Sequence, residues 1–173
     1  GRRATTSTLM GMPVAAPAAS LSRKPYSRVV ADARIIAPSL EDREASARQL
    51  VDECQEALPK TADKSRRARL HYEIARLGEV VLQDESSALS NYQKAHTLDA
   101  TFEPAIAGLI RARSAQGQWE STLGLFEAQI ALTASPQDKA GLLFAKAIVQ
   151  ERRLGKDADA RADYEKALSL VPD

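Results

Sequence analysis

The feature that most constrains this chain is a short motif that returns: Tyr92-Gln93-Lys94-Ala95 is matched, 72 residues later, by Tyr164-Glu165-Lys166-Ala167. Phe126 holds the corresponding place between them, 34 residues after the first copy and 38 before the last. Copies at such a period predict a solenoid of small units, none of which buries its apolar face alone, so stacking must close the core. Ala88, Tyr92 and Ala95 lie at i, i+4 and i+7, as do Ala160, Tyr164 and Ala167, which sets small, large and small side chains on one helical face. A neighbouring helix can approach such a face closely at each alanine. With 44% apolar but only 5% aromatic residues, the composition suits stacked helical hairpins better than a sheet sandwich, so the expected class is all-α.

Residues 1–38 read differently. They are rich in Pro, Ala, Ser and Thr, and up to Leu21 they carry no helical or alternating period, the composition of a flexible arm that buries too little to order itself. Residues 1 to 34 hold six basic side chains against Asp32 alone, so this arm is +5 and the remainder −4 within a net charge of +1. A charge this dilute fits a solvated linker better than a nucleic-acid or membrane contact. Arg2-Arg3-Ala4-Thr5 resembles a basophilic kinase site, and Thr8 to Pro13 forms an apolar island of the kind that makes short docking motifs. Val29, Val30, Ala33 and Ile36 fall at helical spacing after Pro25 and suggest a short helix over 26–36. Gly11, Pro13 and Pro17 break what would otherwise imitate a secretory signal, and the missing initial Met points to a piece of a longer protein. No apolar run reaches the roughly 20 residues of a membrane span, so a cytoplasmic location is expected. Cys54 is the sole cysteine, which excludes an intrachain disulfide and predicts a buried thiol.

From residue 39 to 173 the pattern is helical throughout. Ser39 and Asp42 form a capping box for a leading helix over 40–59, with Ala47, Leu50, Val51, Cys54, Ala57 and Leu58 on one stripe and Pro59 at its end. A second helix starts near Asp63 and buries Leu70, His71, Ile74, Ala75, Leu77, Gly78 and Val81 before a polar turn at Gln83-Asp84-Glu85. The next hairpin runs from Pro104 through Ile106, Leu109 and Ile110 to a turn at Gly117. Its return helix carries Trp119, Thr122 and Phe126. The last opens with a capping box at Ser135 and Asp138, continues through Ala140, Leu143, Phe144 and Ala147, and turns at Gly155.

These units resemble the tetratricopeptide repeat, in which the first helix of each hairpin carries an apolar and then a small residue and the second carries alanine, an aromatic and alanine. Repeats fall at about 68–102, 103–136 and 137–173. Leu109, Trp119 and Phe126 occupy family positions in the second, and Ala88, Tyr92, Ala95 and Ala160, Tyr164, Ala167 do so in the first and third. The first fits if one residue is inserted in its turn, and the third has about four extra residues before Gly155. The resemblance implies a right-handed α-solenoid.

It also implies where binding would occur. First helices in this family line a groove, which here gives Arg69, Tyr72, Arg76 and Glu79 from one repeat and Ala107, Arg111 and Ser114 from the next. That set reads as basic in its middle, with Tyr72 free to stack, and suits an acidic or extended segment of another protein. Some family members clamp a chaperone's terminal carboxylate with paired asparagines. Asn91 is the only asparagine here, which disfavours that ligand. Catalysis has no support: no base stands beside a nucleophile, no phosphate loop appears, and His71 and His96 read as packing residues. No cofactor, metal or small-molecule substrate is expected. The expected function is therefore a protein-interaction scaffold or adaptor. The alternative is a regulatory or accessory repeat region of a larger protein; RNA binding is disfavoured by the acidic body and the few repeats. The array stops without a polar closing helix, so further helices of a parent chain or a second copy would cover its end.

Overall fold

The computed structural model describes residues 39–171. The expectations placed on residues 1–38, including the helix over 26–36, lie outside them.

Helix α1 (Leu40–Ala57) begins at Ser39, whose hydroxyl accepts from the Asp42 N–H at 3.0 Å while the Asp42 carboxylate accepts from the Ser39 N–H at 3.1 Å. A tight turn over Leu58–Lys60 ends it, where Pro59 lacks a donor. Helix α2 (Lys64–Leu77) is capped by Asp63 and runs into a π-helical turn over Gly78–Leu82. Helices α3 (Glu85–Leu98), α4 (Glu103–Ala115), α5 (Trp119–Leu132), α6 (Pro136–Leu154) and α7 (Asp157–Leu170) complete the described chain. Each packs on its neighbours in sequence, and α2 also touches α4. The arrangement is an all-α solenoid of helical hairpins.

The turns explain how the units differ in length. Gln83, Gly117 and Gly155 each adopt a left-handed backbone, at φ of 54°, 71° and 64°. Gly carries this conformation freely, whereas Gln83 does so with a side chain in place. Each stands nine residues before an aromatic, namely Tyr92, Phe126 and Tyr164. From the left-handed residue to the ring the hairpins are therefore identical in length, and every insertion falls in the first helix. In α6 the extra residues lengthen a continuous helix of 19 residues, against 13 in α4. In the first hairpin the surplus is absorbed by the π turn, whose i→i+5 bond, from the Gln83 N–H to the Gly78 carbonyl, holds one residue more than an α turn.

The core lies between hairpins. Ala75, Ala88, Tyr92, Ile106 and Leu109 are buried in one cluster with Leu125, and Ala95 is buried beside them. Gly108 lets α4 lie on the Tyr92 ring: a Cβ there would stand 2.6 Å from Cδ1 and 2.7 Å from Cζ. At the second seam, where α5 meets α6, Thr122, Phe126, Leu143 and Ala147 are buried, as is Lys146. The Thr122 hydroxyl donates to the Trp119 carbonyl at 2.6 Å, which lets a polar side chain stand in an alanine's place.

Several sequence expectations need correction. Leu50 is exposed and Cys54 only half-buried: among the described residues α1 packs mainly on α2 and its π turn, and Ala47 is its buried residue. Burial, then Glu73 and Glu53, still push the Cys54 thiol above its ordinary pKa. Phe144 is exposed, and Tyr164 is half-buried where Tyr92 is fully covered. At Ser135 the Asp138 N–H donates to the serine at 3.3 Å, but the returning bond of a capping box is not formed. Among the described residues, no helix is long and apolar enough to cross a membrane.

Candidate functional site

The groove residues implied by the resemblance lie on α2, its π turn and α4. Arg76 is exposed, and its guanidinium donates Nε and Nη2 to the same Glu73 oxygen, Oε2, at 3.1 and 2.9 Å. The Glu73 bond comes first in holding the Arg76 pKa above its usual value. Arg69 is also exposed and lies in the field of Asp99, whose carboxylate is drawn below its usual range first by hydrogen bonds from Thr101 and then from Ser65. Ser114 is half-buried on α4.

Tyr72 is half-buried as well. Its ring meets Phe102 edge-on at 5.3 Å between centroids and Tyr92 at 5.8 Å, so it belongs to a three-ring cluster at the hairpin seam. Only part of the ring is open to a ligand.

Glu79 and Arg111 are joined across that seam. Arg111 donates Nε to Oε1 at 3.1 Å and Nη2 to Oε2 at 3.0 Å, a bidentate pair between the π turn and α4. The Tyr92 hydroxyl donates to the same Glu79 carboxylate at 2.5 Å, and the Arg111 guanidinium lies 6.0 Å from the Tyr92 ring centroid. The Arg111 bond is the largest influence lowering the Glu79 pKa, partly opposed by burial, with Tyr92 adding to it. Burial and then the Glu79 carboxylate hold the Tyr92 phenol well above its ordinary value. The middle of the groove thus carries arginines already matched by Glu73 and Glu79.

The tyrosine-to-glutamate bond is itself repeated. Glu151 stands 13 residues before Tyr164, as Glu79 does before Tyr92, and the Tyr164 hydroxyl donates to Glu151 at 2.9 Å. Phe126 has no hydroxyl, and the residue 13 before it is Arg113, which instead bonds the Gln93 side chain of α3 and the Ser121 carbonyl of α5. The signal for this pairing in the sequence is the glutamate 13 residues before each tyrosine.

The second seam holds a further charge cluster. Lys146 of α6 is buried, with Nζ 3.0 Å from Glu127 of α5 and 3.2 Å from Asp163 of α7. Asp163 Oδ2 meets it as an ion pair without hydrogen-bond geometry. Burial opposes the lysine's charge, but the two carboxylates outweigh it and raise its pKa. Trp119 opens α5 under the Arg153 guanidinium, 4.8 Å from its ring centroid. Of the two histidines, His71 Nδ1 shares a hydrogen bond with Asn91 at 2.9 Å, and His96 Nδ1 is buried without a hydrogen-bond partner among the described residues. Among the described residues, no three metal-ligating side chains converge.

No family model and no curated protein matches the chain. Two crystal structures of MamA, a tetratricopeptide-like helical solenoid, are similar in fold, each with a TM-score of 0.53. One is 15% identical over 76% of this chain and 73% of its own; the other is 16% identical over 83% and 82%. At that identity the likeness shows the fold alone.

Proposed function

We propose that this chain is a protein-interaction scaffold that holds an extended segment of another protein along the face shared by α2 and α4. The observation that carries the reading is the pre-set arrangement of that face. Arg76 and Arg111 lie there, paired with Glu73 and Glu79, next to the partly open Tyr72 ring. The pairing biases both guanidinium groups toward this face and so lowers the ordering that a ligand must impose on them. The ligand that fits is an extended segment with a carboxylate for the outer edge of Arg76 or Arg69 and an apolar side chain for Tyr72. Because each groove arginine already faces an acid, strongly acidic ligands gain less here than the sequence suggests. The same pairing removes the broad positive surface an RNA reader needs, which weighs against nucleic acid. A regulatory role within a larger protein is compatible with this reading and uses the same face.

Arg69 and Arg76 are the residues to test, since both are exposed and neither crosses a seam. Replacing both with glutamate is expected to leave helicity and melting unchanged and to weaken capture of the partner, identified by pull-down with the whole chain, by tenfold or more. Full retention of the partner would exclude this face. Arg111 is unsuitable for that purpose, because its loss also disturbs Glu79 and Tyr92.

A further inference from the structure

The hairpin of α2 and α3 carries a cleft on the side away from the groove arginines. Arg67 and His71, four residues apart and so on one face of α2, line it together with Gln93, Lys94, Thr97 and Leu98 of α3, around a volume of about 430 Å³. Arg69 and Arg76 stand two and nine residues after Arg67, close to half a turn around the same helix. No carboxylate lines the cleft, and among the described residues neither Arg67 nor Lys94 has an acid within ion-pair distance. Asp99, next to Leu98 in sequence, accepts instead from Ser65 at 3.1 Å and Thr101 at 2.8 Å. The Nε of Arg67 is buried without a hydrogen-bond partner among the described residues. A buried guanidinium N–H lacking an acceptor carries the desolvation cost of a charged group, so it calls for an acceptor from outside the described chain. Water can accept that bond but cannot offset two cations. His71 is held in a definite tautomer beside them. Asn91 donates Nδ2 to the Ser87 carbonyl at 2.9 Å, which leaves its Oδ1 to accept from His71 Nδ1 and leaves Nε2 as the uncommitted ring nitrogen.

We propose that this cleft is a phosphomonoester-binding site, separate from the α2–α4 face, in which Arg67 and Lys94 match the charge of the phosphoryl group. Two unmatched cations call for nearly two negative charges. A carboxylate brings one, whereas a phosphomonoester brings about −1.5 to −2 and three acceptor oxygens for donors that come from two helices. Nε2 of His71 either accepts the proton of a monoanionic phosphoryl group or, when the ring is protonated, donates to it. The cleft is larger than a phosphoryl group, and Leu98 gives it an apolar wall for the carbon skeleton that bears the phosphate. Residues 1 to 34 of this chain are net +5 and do not supply the missing negative charge. The phosphoryl group comes either from a phosphorylated side chain of a protein or from a small phosphorylated molecule.

The test uses the whole chain at physiological salt, where diffuse charge attraction is screened, and follows amide NMR shifts as N-acetyl-phosphothreonine amide or methyl phosphate is added. The expected result is saturable binding, with shifts confined to Arg67, His71, Lys94, Thr97 and their neighbours. Lys94 is exposed, so Lys94→Glu leaves the packing intact and should weaken both probes at least tenfold. Arg67→Gln should do the same, and Lys94→Arg should bind as the parent does. Tighter binding of the phosphothreonine amide would assign the phosphoryl group to a protein side chain, and equal binding would assign it to a small molecule; both support the site. No saturation by about 10 mM of either probe would overturn the proposal. So would equal binding of dimethyl phosphate or N-acetyl-aspartate amide, or shifts spread over Arg66, Arg69 and Arg76, since the chain would then respond to negative charge alone. The Arg69 and Arg76 variants leave the lining of this cleft unchanged, so the two readings fail independently.

Discussion

Tyr92 and Tyr164 begin the same four-residue motif and end in opposite surroundings. Both are flanked by buried alanines, and both donate a hydroxyl to a glutamate 13 residues upstream. Tyr92 is sealed by α4, whose Gly108 lies on its ring and whose Arg111 neutralises its glutamate; Tyr164 has the cleft of about 660 Å³ in that place. A repeat motif therefore encodes half of an interface. Whether its residues become core depends on the next helix.

The largest effect expected from that contrast is on stability. Tyr92→Ala removes a fully buried ring and should cost about 3–5 kcal/mol, as other large-to-small core changes do. Tyr164→Ala removes a half-exposed ring from the same motif and should cost about 1 kcal/mol or less. Chemical denaturation of the two variants side by side measures the difference. Equal losses would mean that Tyr164 is covered in solution.

Glycine offers a smaller and sharper version of the comparison. Gly108→Ala puts a methyl group into the Tyr92 ring, and the forced shift of α4 should cost about 1–3 kcal/mol. Gly141 lies on α6 at the open end, where an added Cβ meets nothing within 4 Å. Gly141→Ala should therefore raise stability by up to about 1 kcal/mol, through helix propensity alone. Melting temperatures that move in the same direction would break the assignment of closed and open ends.

Much of this was readable from the sequence, for definite reasons. The α-solenoid, the caps at Ser39 and Asp63 and the buried faces around Tyr92 follow from periodicity and turn chemistry that act within a few residues. The one-residue surplus of the first repeat was visible as a misfit of spacing. Its location was not, since a π turn over Gly78–Leu82 and an ordinary loop insertion have the same length. The errors fell where burial depends on what lies across a seam or at an end. Phe144, Leu50 and Cys54 have core-like spacing, but among the described residues too few neighbouring helices lie over them. The pairing between two of the expected groove residues was hidden for a related reason. Arg111 and Glu79 are 32 residues apart, and only the stacking of hairpins shows that the acid expected beside the ligand already holds the base.

The smallest expected effect tests that ion pair by pH. The Arg111 bond depresses the folded-state pKa of Glu79 below its value in the unfolded chain. The pair therefore stabilises the fold fully above the unfolded carboxylate pKa, near 4.3, and the contribution fades as pH falls through the lower folded value. With Arg111 half exposed, the gain is discounted for solvent screening to about 1 kcal/mol. Glu79→Gln should accordingly lower stability at pH 7 by about that amount and make little difference near pH 3. Glu151→Gln, made at the exposed copy of the same position, should stay within about 0.5 kcal/mol of the parent at pH 7. Should both glutamines cost the same at neutral pH, the seam would owe nothing to Arg111, and the value of Glu79 would lie in its bond to the Tyr92 hydroxyl, which a glutamine oxygen can also accept.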